Sequence, residues 1–248
     1  MIRTAVDGNL RTITLDRPER RNALTESGLE DLKTTLEDAT EPVVYLHGAG
    51  DAFCAGADLD IVAGLADDRE PVDGDDDPGD ESEQRGAARA FVRRGQEIAT
   101  LLATYDGAVV AGIDGAARGG GVELALACDV RVATPDATLS ETGVTLGLFG
   151  AWGGTVRLPE VVGQGEAMDV ALSGRVIDAT DARRMGLVSR IVEDPRTVAT
   201  DVATNDPAAV RTIKARLRDD GGRDTQEDRE VAAFARLVED FDPENRNG

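Results

Sequence analysis

The sequence has few of the residues on which several classes of protein depend. It contains one histidine, His47, two cysteines, Cys54 and Cys128, and only 3% aromatic residues. No CxxC pair or second histidine accompanies them, which argues against a disulfide framework, a zinc site and a Ser–His–Asp triad. We therefore expect two reduced thiols in a cytoplasmic protein, a structural role for His47 and no bound metal.

Positive charge is also scarce. The formal net charge is −21, and only two of the 27 basic residues are lysines, Lys33 and Lys214. Without a basic face to neutralise phosphates, we expect no nucleic-acid partner. A carboxylate excess combined with so little lysine is typical of proteins from a high-salt cytoplasm, where ions screen the repulsion between carboxylates. An ordinary acidic protein from a GC-rich genome is the alternative.

Long hydrophobic runs are missing as well. The 248 residues are 41% hydrophobic, which is enough for one large core, yet no run approaches the length of a membrane span. The first residues also show no apolar signal core. We expect a soluble, cytoplasmic protein that does not associate with membranes.

The hydrophobic pattern alternates between strand-like and helix-like segments. Short β-type runs at 10–18 and 42–50 are each followed by apolar residues at helical spacing, the first of them at 22–40. This order is typical of the α/β class with parallel crossovers. We predict a core over residues 1–192 and a helical region over residues 193–248. The acidic stretch at 66–84 is predicted to be a mobile surface loop of the core.

Two glycine-rich segments each follow a β-type run and open a helix-like run. They are GAGDAFCAGADL at 48–59 and GAARGGGVEL at 115–124. The N-terminus of a helix presents unpaired amides and partial positive charge, which bind anions and developing oxyanions. Neither segment matches a dinucleotide or P-loop fingerprint. If the segments meet, their amides form an oxyanion hole for one oxygen; close packing of helix and strand is the structural alternative.

Five segments, in order, resemble the crotonase superfamily of enoyl-CoA hydratases and isomerases. They are LDRPERRNAL, GAGDAFCAGADL, GAARGGGVELALACDVRVA, GLFGAWGGTVRLP and ALSGRVIDATDARRMGLVSRIV, and the similarity runs from about residue 10 to residue 192. It implies a spiral of ββα units with a C-terminal helical region that assembles homotrimers, or hexamers made of two trimers. It also implies an acyl-CoA substrate, with CoA as part of the thioester and no further cofactor.

The resemblance implies roles for residues at matching positions. Ala57 and Gly120 match the two amide donors of the family's oxyanion hole, and Glu123 matches the first of the two catalytic glutamates of the hydratases. Contacts with CoA are implied for residues of ERRNAL and FCAGADL, namely Arg21, Ala23, Ala55, Ala57, Asp58 and Leu59.

The second glutamate of the family's pattern is missing. Without gaps in the alignment, its position holds Gly143, and Glu141 stands two residues earlier. Alternate residues of an extended segment share a face, so Glu141 would reach the pocket from a displaced site or after a small shift of the loop. An exposed loop carboxylate on a very acidic protein is the alternative.

The leading hypothesis is reversible addition of water to a trans-2-enoyl-CoA. A double-bond isomerase, an acyl-CoA hydrolase and a catalytically silent CoA-binding paralogue stay open, the last because Gly143 replaces a glutamate. Trp152, the only tryptophan, is predicted either to line the acyl pocket or to pack beneath its loop.

Overall fold

The computed structural model describes residues 1–67, 79–239 and 241. In this part of the chain the strands, in order, are β1 (Ile2–Asp7), β2 (Leu10–Leu15), β3 (Val43–Gly48), β4 (Ala52–Cys54), β5 (Ala108–Ile113), β6 (Ala116–Arg118), β7 (Val130–Ala133), β8 (Thr138–Ser140), β9 (Ile177–Asp178) and β10 (Arg190–Ile191).

The helices, in order, are α1 (Glu26–Glu37), α2 (Leu59–Asp67), α3 (Gly79–Thr104), α4 (Gly120–Ala127), α5 (Gly154–Val162), α6 (Gln164–Ser173), α7 (Ala179–Arg184), α8 (Arg196–Ala203), α9 (Pro207–Leu217) and α10 (Arg223–Glu239). Short 3-10 turns cover Pro18–Arg20 and Thr142–Leu146. None of the described helices is long and apolar enough to cross a membrane.

The larger sheet has the strand order β1-β2-β3-β5-β7-β10. Neighbours from β2 to β10 run parallel, and only β1 pairs antiparallel with its neighbour in this sheet. Parallel strands need crossover connections, which are usually helices. Because such helices cover both faces of the sheet, runs such as VVYL in β3 are buried throughout. The predicted α/β class with parallel crossovers is confirmed.

Local sequence determines where α1 begins and which face it buries. The hydroxyl of Thr25 accepts a hydrogen bond from the N–H of Gly28 at 3.1 Å, which caps the helix. Leu29, Leu32 and Leu36, at intervals of three and four, form its buried face. The helix predicted within 22–40 is therefore present, with a defined start.

The smaller sheet positions the two glycine-rich segments. Its order is β4-β6-β8-β9, with β4, β6 and β8 parallel to one another and β9 antiparallel to β8. Pairing of Cys54 with Ala117 places the ends of β4 and β6 side by side. The loops that follow these two strands, and the starts of α2 and α4, consequently lie at one edge of the sheet.

The predicted loop at 66–84 requires correction at both ends. Residues 66 and 67 belong to the end of α2, and residues 79–84 form the start of α3. The Glu, Gln, Arg and Ala residues around position 84 are good helix formers, so scarcity of apolar residues did not exclude a helix there. The remainder of the predicted loop lies outside the described residues.

The region after residue 193 is helical, as predicted, and its first helix packs on the core. Val198 and Ala199 of α8 are buried against Val43, Tyr45 and Val110 of the larger sheet. The boundary predicted at residue 192 remains a prediction.

Candidate active site

A cleft of about 1030 Å³ opens where the loop after β4, the start of α4, the middle of α3 and the loop 142–152 meet. Ala57, Gly120 and Glu123, three of the four predicted catalytic residues, line this cleft. The walls are largely apolar and include Val62 from α2 and Phe91 from α3. The cleft can therefore enclose an apolar ligand beside a few polar groups.

Two backbone amides meet at the inner end of the cleft. Gly56 has a φ of +83°, and a Cβ added to it would lie 2.8 Å from the amide nitrogen of Gly120, so the loops are in close contact. Gly120 is the first residue of α4, where an N–H has no partner within the helix. Among the described residues, neither the Ala57 nor the Gly120 N–H donates to a protein acceptor. Both amides are therefore left without a protein acceptor from the described chain, in adjoining loops of the cleft.

Glu123 lies one turn into α4 and is 2% exposed. Its Oε1 accepts hydrogen bonds from the N–H groups of Trp152 at 2.8 Å and Gly154 at 2.6 Å. Burial raises the pKa of Glu123, and these two amides partly oppose that rise. Within the described chain no protein donor reaches Oε2, which is the oxygen free to bind water.

Glu141 is a buried carboxyl group, not an exposed one. It follows β8 directly, is 6% exposed, and neither of its oxygens has a hydrogen-bond partner among the described residues. Burial, and then the charge of Glu123, raise the pKa of Glu141 to about 8. The alternative of a solvated loop carboxylate is therefore wrong.

The two carboxyl groups flank Gly150. A Cβ added to Gly150 would lie 2.9 Å from Oε2 of Glu141 and 3.0 Å from Oε1 of Glu123. Both oxygens are thus within about 6 Å of each other. A side chain at position 150 would displace both carboxyl groups from these positions.

Gly143, at the family's glutamate position, lies in the 3-10 turn Thr142–Leu146 and lines the cleft. A Cβ added to it would meet the backbone of Leu148 and Phe149 at 3.1–3.2 Å. The turn packs too tightly against the following loop to present a long side chain without adjustment. Glu141, two residues earlier, carries a buried carboxyl group that is not part of the cleft wall.

Asp58, one of the residues predicted to contact CoA, is held by other protein groups. It is 2% exposed, and its carboxylate accepts hydrogen bonds from Arg17 at 2.5 Å, from Arg20 at 3.2 Å and from the N–H of Asp60 at 2.9 Å. These partners hold the pKa of Asp58 below its usual range, against the effect of burial. Asp58 fixes the loop that carries the Ala57 amide.

The other predicted CoA contacts are divided between two locations. Ala55, Ala57 and Leu59 line the cleft, whereas the exposed Arg21 and the buried Ala23 are not part of its wall. Arg21 adopts a left-handed backbone with a φ of +50° at the end of the first 3-10 turn. Its contact with CoA stays a prediction.

Trp152 serves both of the uses foreseen for it. The side chain is 3% exposed and packs against Phe91, with ring centroids 5.8 Å apart, yet it also forms part of the cleft wall. A Cβ on Gly120 would lie 2.5 Å from its ring, and one on Gly95 would lie 2.2 Å from it. Both glycines are needed to admit the indole.

The residues expected to be structural lie outside the cleft wall. Nε2 of His47 is 2.9 Å from the hydroxyl of Thr14, and its ring stacks on Tyr45 at a centroid distance of 5.1 Å. Cys54 and Cys128 are free and buried. The amides of Trp152 and Gly154, which bind the Glu123 carboxylate, were not predicted from the sequence. Almost every residue type has a backbone N–H, so the sequence does not show which of them bind a carboxylate.

Two amides without protein acceptors in the described chain, beside a pair of buried carboxyl groups, are the kind of arrangement on which acid–base catalysis with a stabilised oxyanion depends. The chain belongs to the enoyl-CoA hydratase/isomerase family, whose model matches residues 6–245.

Relatives of the chain agree with this family. It is 30% identical over 237 residues to the crotonyl-CoA hydratase of Syntrophomonas wolfei, covering 91% of this chain and 84% of that protein. It is 30% identical over 219 residues to the short-chain-enoyl-CoA hydratase of Clostridium acetobutylicum, covering 84% and 77%. The crystal structure of enoyl-CoA hydratase from Thermoplasma volcanium matches with a TM-score of 0.82 at 29% identity, covering 96% of this chain and 92% of that one. The predicted crotonase-like fold is confirmed.

Proposed function

We propose that this protein is an enoyl-CoA hydratase that adds water reversibly to a trans-2-enoyl-CoA, with no cofactor besides the CoA of its substrate. The observation that carries the proposal is the pair of buried carboxyl groups, Glu123 and Glu141, on either side of Gly150. A hydratase moves two protons, one from water and one to carbon, and a pair of carboxyl groups can serve both transfers.

The amides of Ala57 and Gly120 bind the thioester oxygen in this proposal. When water adds at Cβ, the electron pair of the double bond moves towards this oxygen and forms an enolate. Each amide then meets a developing negative charge inside an apolar cleft, where hydrogen bonding is stronger than in water. Loss of one such donor typically costs about 10²–10³-fold in rate.

The two carboxyl groups take different roles because their surroundings differ. Two amides stabilise the ionised form of Glu123, which accepts a proton from the attacking water. Glu141 has no such donors among the described residues and stays protonated at neutral pH, so it gives its proton to Cα. Transfer of the proton from Glu123 to Glu141 restores the starting state.

Hydration of crotonyl-CoA in high salt tests this function directly. We expect loss of the absorbance of the conjugated thioester and a product heavier by one water. No release of free CoA thiol is expected, which distinguishes hydration from hydrolysis. A product of unchanged mass would indicate an isomerase, and absence of turnover with CoA still bound would indicate a silent paralogue; either result contradicts the proposal.

We also propose that the enzyme acts as a homotrimer, or as a hexamer of two trimers, in the cytoplasm. Apolar side chains of α9 and α10 are exposed in the single chain, with Leu217 at 82%, Val231 at 71% and Phe234 at 69%. Exposed apolar surface of this kind marks contact with another chain. The buried free thiols of Cys54 and Cys128 fit a reducing compartment.

Adaptation to high salt is part of the same proposal, because a net charge of −21 destabilises the folded chain by self-repulsion that salt screens. We expect the melting temperature to rise steeply from dilute buffer to about 1 M KCl, as the screening length falls from more than ~10 Å to ~3 Å. A flatter rise is expected at higher concentrations. A melting temperature that is constant over the first range would contradict the proposal.

A further inference from the structure

The start of α5 is capped by a residue from another helix. Gly153, the residue before α5, has no side chain and makes no capping hydrogen bond of its own. Glu123 of α4 takes this place, since its Oε1 accepts hydrogen bonds from the N–H groups of Trp152 and Gly154. The orientation and charge of Glu123 therefore depend on how the segment 151–154 is held.

Arg157, in the first turn of α5, holds this segment with its side chain. Its Nη1 donates a hydrogen bond to the carbonyl oxygen of Trp152 at 3.2 Å. A Cβ added to Gly153 would clash with the same nitrogen, so the guanidinium lies directly against the backbone there. Gly153 also has a φ of +109°, which favours glycine. The absence of a side chain at position 153 thus makes room for the guanidinium of Arg157.

The backbone of Arg157 holds the next peptide of the segment. Its N–H donates to the carbonyl oxygen of Gly153 at 2.9 Å, and the peptide that contains this oxygen also contains the N–H of Gly154. Because a peptide unit is planar, fixing its oxygen fixes the direction of its N–H. Gln96 of α3 does the same for the N–H of Trp152, since its Nε2 donates to the carbonyl oxygen of Ala151 at 2.9 Å.

Arg157 also acts on Glu123 through its charge. Burial raises the pKa of Glu123, whereas the two amides and then the positive charge of Arg157 lower it. The side chain of Arg157 is half-buried, and within the described chain no carboxylate forms an ion pair with it. The charge of Arg157 is therefore not neutralised by a closer partner in this part of the molecule.

Other titratable groups face Glu123 from the elements around it. They are Glu141 after β8, Arg89 and Arg93 of α3, Cys54 of β4 and Arg118 of β6. Burial raises the pKa of Cys54 to about 12, and arginines keep their charge at all pH values used with enzymes. Glu141 keeps its proton until the pH approaches 8. A titration in this cluster at acid pH therefore belongs to Glu123.

We propose that Arg157 is a positioning residue that holds the segment 151–154 in the orientation that binds Glu123 and keeps Glu123 ionised. The part of this inference that concerns catalysis rests on the proposed function, in which ionised Glu123 accepts a proton from water. A guanidinium suits the task because it combines a permanent charge with donors in a fixed plane.

The pH dependence of kcat/KM for crotonyl-CoA tests the inference. In the unmodified enzyme kcat/KM should decrease at acid pH, as Glu123 gains a proton. Arg157→Met removes the charge and the donor but keeps an unbranched side chain, so we expect the decrease to move to higher pH by about half a unit or more. Arg157→Lys keeps the charge and should restore most of the original profile. An unchanged profile in Arg157→Met, or an equal shift in Arg157→Lys, would overturn the inference.

Arg183→Met is the matched control, because it removes one positive charge from an exposed position of α7 outside the cleft wall. In high salt it should move the profile by less than about 0.2 pH unit, since screening weakens the effect of exposed charges. A shift as large as that of Arg157→Met would assign the effect to net charge and contradict the inference. Should Arg157→Met not fold, Arg157→Gln removes the same charge and should give a shift in the same direction.

Infrared spectroscopy separates this inference from the proposed function, because it needs no turnover. The carbonyl stretch of protonated Glu123 is assigned by its absence in Glu123→Gln, and its intensity is followed against pH. We expect the midpoint of this titration to rise in Arg157→Met by the same amount as the kinetic profile. If crotonyl-CoA is not hydrated but the midpoint rises, the proposed reaction fails and the role of Arg157 stands. A midpoint that stays constant in Arg157→Met would refute that role even with active hydration.

Discussion

Replacing Glu123 by glutamine is expected to lower kcat/KM for crotonyl-CoA by about 10²–10⁴-fold, the range typical for loss of a general base. Glutamine keeps an oxygen that can accept the hydrogen bonds from Trp152 and Gly154, so the loop and α4 should keep their positions. It cannot accept a proton from water at neutral pH. The loss should therefore fall on kcat, with little change in the Kd of a saturated acyl-CoA.

The control for this variant is Glu160→Gln, which removes one charge from an exposed position of α5. It should leave kcat/KM within about twofold, because exposed carboxylates contribute little when salt screens them. A Glu123→Gln enzyme with activity close to that of the unmodified protein would show that the general base is a different group. Circular dichroism and melting temperature would show whether both variants are folded.

The part of the site that could be predicted from the sequence is built from main-chain amides. Their geometry requires glycine at particular positions, so the sequence shows where they lie. Glycine-rich segments after β4 and β6 indicated where amides would be exposed, and the structure brings the Ala57 and Gly120 amides to one cleft. Glycines mark such places because a side chain would obstruct the ligand or the neighbouring loop. The α/β order followed equally from periodicity, which reports burial of whole segments.

The placement of Glu141 could not be decided from sequence, because it depends on contacts between distant segments. Alternation along an extended segment put Glu141 on the same face as position 143, and Glu141 is buried. Whether that face lies near Glu123 depends on the loop around Gly150. Since Gly150 has no side chain, the two carboxyl groups can both lie close to its backbone. The separation of the Glu123 and Glu141 carboxyl groups is therefore set by the folded chain and not by local sequence.

The limits of the predicted acidic loop illustrate a different difficulty. Composition identifies a segment with too few apolar residues to form a core. It does not show how far the helices on either side extend into that segment. The end of α2 and the start of α3 therefore extend into the stretch predicted to be a loop.

Replacing Glu141 by glutamine is expected to lower kcat/KM for crotonyl-CoA by about 10²-fold or more, because the enolate then lacks its proton donor. In the unmodified enzyme kcat/KM should decrease as the pH rises through about 8, where the raised pKa of Glu141 lies and the carboxyl group loses its proton. Glu141→Gln should abolish this alkaline decrease in whatever activity remains. Persistence of the same decrease in the variant would assign it to another group.

The same substitution should stabilise the fold increasingly as the pH rises. The folded-state pKa of Glu141 is raised from 4.5 to about 8, so between these values the native state keeps a proton that the unfolded chain has lost. The stability contributed by this proton is complete below the unfolded-state pKa and is lost as the pH rises towards 8. The free energy of unfolding of Glu141→Gln, minus that of the unmodified protein, should grow by up to about 1.4 kcal/mol per pH unit over this range.

Denaturant titrations in high salt at pH 5, 6, 7 and 8 would measure this difference. Any cost of burying an amide at position 141 is independent of pH, so the slope reports the carboxyl group alone. Glu160→Gln should give a flat difference, because that group is exposed. Since the charge of Glu123 contributes to the raised pKa of Glu141, the same comparison made in a Glu123→Gln background should level off at a lower pH. If the difference levels off at the same pH in both backgrounds, the charge of Glu123 does not raise the pKa of Glu141 and the two carboxyl groups are not coupled.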